Sequence, residues 1–278
     1  MPSIKKYLLA VLFPALPVLG TAQHLPHVRP EKVGMDSGRL LRADSAIEDA
    51  IGRGNIPGAV LAVVRHGKMA YLKAYGNRQT WPVTRAMTTH TIFDMASCSK
   101  AMSTAVSTLI LCERGQLRLL DPVSQYIPDF EDWRDSDGET TTIRIQHLLT
   151  HTSGLPAYYS PAADAVPDPD GLIDRISHLK RLSEPGTAFR YSCLNFITLQ
   201  RILERVTGQK LYEYAHENVF SPLGLRHTCY FPLNESLPQL KDSPLPFDHP
   251  HEVRFTNLRL YVTELNEDCI FDRLNGVA

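Results

Sequence analysis

The sequence predicts an α+β fold of the α/β sandwich type: an antiparallel sheet flanked by helices, with a helical insertion. Three observations predict it. Two short apolar runs, Ala59 to Val64 and Met69 to Ala74, flank the turn-forming Arg65-His66-Gly67-Lys68 and read as an antiparallel hairpin. A dense helical pattern follows from Ser97 to Arg114, and the middle of the chain carries further helical spacing.

The elements follow in chain order. Lys5 and Lys6 precede an apolar run, Tyr7 to Leu19, that ends in the small residues Gly20, Thr21 and Ala22. This is the pattern of an export signal over residues 1–22, cleaved after Ala22, with the body from residue 23 exported. The run is shorter than the roughly 20 residues of a spanning helix, and Pro14 and Pro17 interrupt it, so no stable membrane span is expected. Asp36 then caps a helix in which Leu40, Ala43, Ile47, Ala50 and Ile51 recur at helical spacing, with Gly52 and Gly54 to stop it. The hairpin comes next. In the helix from Ser97 to Arg114, Ala101, Ala105, Val106, Leu109 and Ile110 predict a largely buried element that ends at Gly115. Further helices are expected at Ile143 to Thr150, at Phe196 to Val206 ending at Gly208, and around Tyr212 to Val219. Ser160 to Gly171 and the proline-rich Phe231 to Pro250 read as surface loops.

Composition narrows the function classes. The chain has 278 residues and a formal net charge of −1, and its 29 Lys and Arg form no basic stripe, which argues against nucleic acid as a partner. The five cysteines (Cys98, Cys112, Cys193, Cys229 and Cys269) show no C-x-x-C spacing, so neither a zinc site nor a disulfide framework is suggested. No metal or organic cofactor is implied.

The chemistry concentrates in Phe93-Asp94-Met95-Ala96-Ser97-Cys98-Ser99-Lys100. Ser97 and Lys100 stand three apart and so share a helix face. The start of a helix presents unpaired N–H groups and partial positive charge, which favour an oxyanion. A lysine beside a serine hydroxyl can transfer its proton, more readily where desolvation lowers the lysine's proton affinity. Ser99 offers a competing hydroxyl but has no lysine three positions later. The spacing alone is also compatible with a capping serine and a solvated lysine.

The wider sequence resembles the serine β-lactamase and penicillin-binding-protein superfamily, in particular its class C-like branch of β-lactamases, D-Ala-D-Ala peptidases and esterases. The resemblance rests on ordered blocks: Gly34-Met35, Ile56-Pro57-Gly58-Ala59, Thr91 to Lys100, Leu148-Leu149-Thr150-His151-Thr152-Ser153-Gly154-Leu155, and Pro185-Gly186-Thr187-Ala188-Phe189-Arg190-Tyr191-Ser192. It implies Ser97 as an acylated nucleophile, Lys100 as its proton-transfer partner and Tyr191 as a second base. It also implies a β-lactamase-like fold and a small-molecule or peptidoglycan-like substrate: an ester, a β-lactam or a D-Ala peptide. A periplasmic or extracellular bacterial setting follows from the same resemblance.

Two departures stand out. The family's Y-x-N asparagine is replaced by Cys193, a poor hydrogen-bond donor, which weakens amide recognition more than ester recognition. Asn195, two residues on, could contact substrate in its place or serve packing and capping. No K-T-G or H-x-G motif is found, and Asn275-Gly276-Val277-Ala278 resembles the start of a segment that in the family continues into further strands and a helix. The resemblance therefore implies a hydrolase domain over 23–278 that is incomplete at its C-terminal end, with a catalytically impaired binding or sensor protein, or an inactive fragment, as the alternatives. On that reading the 278-residue product would be poorly soluble and short of normal turnover. His147, His151 and His178 are read as structural, and Asp121 as a backbone cap.

Overall fold

The computed structural model describes residues 25–81, 83–91, 93–159, 169–225, 228–230 and 260–262. The expected leader at 1–22, the proline-rich segment Phe231 to Pro250 and the residues leading to Ala278 lie outside the described residues, as does most of the loop expected at Ser160 to Gly171.

Helix α1 (Ser37–Gly52) begins where the Asp36 carboxylate accepts the Arg39 N–H at 2.9 Å, the cap expected of that residue. Strands β1 (Gly58–Arg65) and β2 (Lys68–Gln79) pair antiparallel from Gly58↔Gly76 to Arg65↔Lys68, with a bulge between Val63 and Val64. His66 and Gly67 connect them with φ of 52° and 66°, the paired left-handed conformation of a two-residue turn whose twist matches the strands. A short β3 (Arg85–Ala86) extends this sheet beside β2.

Asp44 joins α1 to this sheet. It is 6% exposed, and its carboxylate accepts hydrogen bonds from Tyr71 Oη (2.5 Å), Tyr75 Oη (2.6 Å) and Lys73 Nζ (2.6 Å), all on β2. Those donors, Lys73 first, hold the carboxyl well below its ordinary range, at about 2. Burial pushes the Tyr75 phenol up, so it remains a donor at any ordinary pH.

A second small sheet has the order β4 (Phe93–Asp94), β8 (Leu260–Val262), β7 (Cys229–Tyr230), and β5 (Trp133–Arg134) pairs with β6 (Thr140–Thr141). Between them lies the helical part. It contains a π-helical segment, Lys100–Ala105, that continues as α2 (Val106–Glu113), followed by α3 (Ile145–Leu149), α4 (Pro169–Ser177), α5 (Cys193–Thr207) and α6 (Leu211–Ala215). Leu111, Ile143, Leu148, Ile176, Leu199 and Ile202 form the centre of its core. No helix among the described residues is long and apolar enough to cross a membrane.

The helix after Ser97 departs from the expected burial pattern. Ser103, Thr104, Ser107 and Thr108 are buried, whereas Val106 and Leu109 are exposed. The expectation assumed one α-helical period from Ser97 onward. The π-helical turns between Lys100 and Ala105 hold more residues each, which rotates every later side chain relative to that count. Of these small hydroxyl residues Thr108 is satisfied locally, its Oγ1 donating to the Thr104 carbonyl at 2.8 Å. Helix α4 is a further difference, since its first residues fall where a loop was expected. Pro169 stands at its first position, and Leu172, Ile173 and Ile176 bury one face.

Arg181 fastens the end of α4 to the loop before β5. It is 7% exposed and donates to the carbonyls of Glu131 (2.6 Å), Ser177 (2.8 Å) and Leu179, with its guanidinium 4.7 Å from the Phe130 ring centroid. Burial lowers its proton affinity to about 10, which leaves it charged at neutral pH. The Ser177 and Leu179 carbonyls lie at the negative end of α4, and the Glu131 and Asp132 carboxylates add to the compensation of the charge.

Two stability predictions follow from these contacts. Arg181→Lys replaces a planar fork with a single ammonium that cannot serve the same carbonyls, and it should cost about 2–4 kcal/mol in denaturant unfolding. Asp44→Asn should lower Tm by several degrees at pH 7. Because the folded carboxyl titrates at about 2 against an ordinary 3.8, its stabilisation is complete above the ordinary range and is lost as pH falls through this interval. The Tm gap between wild type and Asp44→Asn should therefore close on acidification, as followed by circular dichroism.

Candidate active site

Ser97 stands at the exit of β4, on a turn the backbone makes in three residues. Ala96 has φ of 41°, a left-handed conformation that costs a residue with a Cβ about 1 kcal/mol or more. The turn is closed by Cys98 N–H on the Met95 carbonyl (2.8 Å), Ser99 N–H on the Ala96 carbonyl (3.2 Å) and Lys100 N–H on the Ser97 carbonyl (3.1 Å). Ser97 is left exposed at its tip.

The two neighbouring serines are now distinguishable. Ser99 Oγ donates to the Ala96 carbonyl at 2.6 Å, so its hydroxyl is engaged in holding the turn. Ser97 Oγ instead accepts from Lys100 Nζ at 3.2 Å, which uses one lone pair of the oxygen and leaves the other unengaged by that bond. The lysine is half-buried at the first position of the π-helical segment.

Tyr191 arrives from a distant part of the chain. Its ring centroid lies 5.3 Å from Lys100 Nζ, so one ammonium reaches both the serine oxygen and the phenol ring. The chain around Tyr191 is tied down at each step. Ser192 caps α5, with its Oγ accepting the Leu194 N–H at 3.2 Å and donating to the Pro156 carbonyl at 2.6 Å, and the Cys193 N–H reaches the Ala157 carbonyl at 2.9 Å. Phe189 and Tyr191 are exposed beside the serine–lysine pair.

His151 was read from the sequence as structural only, yet it lies against this group. Its ring is 4.6 Å from that of Tyr191, 5.1 Å from Phe196 and 6.0 Å from Phe189. The Ser192 N–H donates to His151 Nδ1 at 3.1 Å, which leaves the ring proton on Nε2. Burial first, and the Lys100 charge second, lower the imidazole's proton affinity, so His151 is neutral at pH 7. The sequence held one signal for it, a histidine immediately before Thr152-Ser153-Gly154, but no spacing rule connects that block with Tyr191.

Asn195 does not face a substrate. It is fully buried, its Oδ1 accepts from Ser153 Oγ at 2.5 Å, and its Nδ2 meets His151 Nδ1 at 3.2 Å. The packing alternative is the one its surroundings support, because a side chain three residues into α5 points back into the core once Ser192 has capped the helix. Cys193 is half-buried in the first turn of α5, and Cys98, Cys112 and Cys193 are free thiols. Cys269 lies outside the described residues.

The remaining histidines and Asp121 serve local structure. His147 Nδ1 accepts the Arg144 N–H at 3.1 Å, His178 sits near Asp174 and Glu131, and Asp121 accepts the Arg118 N–H at 2.8 Å. Among the described residues no three His, Cys, Asp or Glu side chains gather into a group able to hold a metal ion. The chemistry at hand is that of a hydroxyl, an ammonium and a phenol around one exposed oxygen.

Comparison with known proteins agrees with this geometry. A family model described as beta-lactamase matches residues 43–257. Esterase EstB of Burkholderia gladioli is 33% identical over 263 residues, covering 84% of this chain and 66% of the esterase. An N-acetylmuramyl-L-alanine amidase of Bacillus subtilis is 31% identical over 269 residues, covering 90% of this chain and 61% of the amidase. Among solved structures, EstCE1, a hydrolase with promiscuous acyltransferase activity, superposes with a TM-score of 0.61 at 30% identity, over 69% of this chain and 53% of that one. The chain thus spans less than two thirds of the length of each of these relatives. A mixed helix-and-sheet architecture, a serine and lysine three apart at a helix start and a family match over most of the sequence lead to one assignment: the chain belongs to the beta-lactamase family.

Proposed function

We propose that this protein is a serine hydrolase that cleaves an ester or amide through an acyl-Ser97 intermediate. The observation that carries the proposal is the shared ammonium: Lys100 Nζ lies 3.2 Å from Ser97 Oγ and 5.3 Å from the Tyr191 ring. Relatives named as an esterase and an amidase support the same reaction class.

In this reaction Lys100 enters as the neutral amine of the Lys100–Tyr191 pair: Ser97 Oγ attacks the carbonyl carbon and gives its proton to Lys100 Nζ, which becomes the ammonium beside the Tyr191 ring. Collapse of the tetrahedral adduct breaks the bond to the leaving alcohol or amine, which takes up that proton. The acyl group stays on Oγ. Water then attacks the acyl carbon, its proton returns through the same pair to Ser97, and the acid departs. The partial positive charge at the helix start favours the oxyanion of both adducts.

Cys193 supports esters over amides. A thiol donates a weak hydrogen bond where an asparagine would bind a substrate amide, and an ester carbonyl depends less on that contact. The leader pattern at 1–22 supports an exported protein, and a small ester or a peptidoglycan-like fragment is the substrate class proposed.

A fluorophosphonate probe followed by peptide mapping tests the reading. Label should appear on Ser97 and vanish in Ser97→Ala, and a folded wild-type chain that takes no label there would overturn the proposal. Lys100→Ala and Tyr191→Phe should each lower kcat/KM for p-nitrophenyl acetate by roughly 10²–10⁴-fold. Turnover of short p-nitrophenyl esters should exceed that of nitrocefin; a reversed order would remove the argument from Cys193.

A further inference from the structure

We propose that His151 is a positioning residue that fixes Tyr191 against Lys100, and that it works only as the neutral imidazole with its proton on Nε2. The proposal rests on the serine-hydrolase reading of Ser97, Lys100 and Tyr191.

The geometry is a clamp around one residue. The His151 carbonyl accepts the Arg190 N–H at 2.8 Å, and His151 Nδ1 accepts the Ser192 N–H at 3.1 Å. The residues before and after Tyr191 are therefore both bonded to His151. Tyr191 itself is left to project beside the imidazole, with ring centroids 4.6 Å apart, on the side where Lys100 Nζ stands.

A histidine suits the position for two reasons that few other side chains combine. It offers a backbone carbonyl and a ring acceptor close enough to bracket one residue, and its flat ring supplies the surface on which Tyr191 rests. It also holds φ at 58°, a conformation that histidine adopts more readily than branched residues do. Gly154 secures the turn from behind, since any Cβ there would collide with the Ser183 carbonyl oxygen.

The tautomer is enforced by a buried network. Ser153 Oγ donates to Asn195 Oδ1 at 2.5 Å, which turns the Asn195 Nδ2 donor toward His151 Nδ1 at 3.2 Å. Two donors, the Ser192 N–H and this amide, thus converge on one lone pair. A proton on Nδ1 would have to displace both. Lys100 and Tyr191 are the titratable groups that bear on the ring, and the Lys100 ammonium further opposes a second cation. Protonation at acid pH should therefore release Tyr191 and reduce activity, and the imidazole's depressed proton affinity keeps that loss below pH 6.5.

A double-mutant cycle separates positioning from general stability. His151→Ala should lower kcat by roughly 10–100-fold with little change in KM, whereas in the Tyr191→Phe background the same substitution should cost about twofold or less. His151→Asn, which tolerates positive φ and keeps an acceptor, should recover part of the loss and remove the acid limb of the kcat/KM profile. An equal loss in both backgrounds, or an unchanged acid limb in His151→Asn, would overturn the proposal. Nitrogen NMR of the histidines gives a readout that needs no turnover. It should show His151 as the Nε2–H tautomer at pH 7, with Tyr191 ring signals that move as His151 titrates below pH 6.5; a protonated or Nδ1–H ring at pH 7 would also overturn it. A wild-type chain without Ser97 label but with these NMR signatures would sink the hydrolase reading and leave the clamp standing.

Discussion

A single buried amide ties together the two stretches of chain that frame Tyr191. Asn195 touches no solvent, and it joins the Ser153 hydroxyl to the His151 ring and so binds the turn after α3 to the start of α5. Beside this junction three more bonds tie the chain around Tyr191 to the same turn: Ser192 Oγ on the Pro156 carbonyl, the Cys193 N–H on the Ala157 carbonyl and the Arg190 N–H on the His151 carbonyl. Such a bond contributes only about 1 kcal/mol net, but an unpaired buried amide costs more than that, so the network holds together or fails as a unit.

Backbone strain is distributed in keeping with this role. Three described residues other than glycine have positive φ: His66, Ala96 and His151. His66 belongs to a hairpin turn whose type demands it. The other two flank Lys100, one presenting Ser97 and one supporting Tyr191. Conformations that cost energy persist only where surrounding contacts over-determine them, and here the surrounding contacts are those that hold Ser97 and Tyr191 beside Lys100. The helix that carries Lys100 shows the same economy, with a π-helical stretch at its beginning rather than in its exposed middle.

Much of this was legible in the sequence where local chemistry decides conformation. Asp36 and Gly208 marked helix ends because a carboxylate accepts an orphan N–H and a glycine accepts a left-handed φ. The hairpin was readable from its two apolar runs and its turn, and the serine–lysine pair from spacing together with ordered family blocks. What escaped was set by contacts across the chain. The buried side of the helix after Ser97 could not be found by counting, because π-helical turns shift the period and close packing selected Ser103 and Ser107 over Val106 and Leu109. Helix α4 has a buried face of only three large residues, too short a pattern to outweigh the proline and aspartates around it. His151 and Asn195 lie 44 residues apart, and nothing in either neighbourhood announces that they share a hydrogen bond.

The pairing of β4 with β8 bears on how the molecule is assembled. Phe93 meets Val262 across a loop of roughly 170 residues, while the helical part between them closes through much shorter separations. Short-range contacts form fast and distant strand pairs form late, so the helix that carries Lys100 and the one that follows Tyr191 have time to pack before the strand leading into Ser97 acquires its neighbour. In a chain emerging from the ribosome, the strand that leads into Ser97 is among the last pieces to find its place.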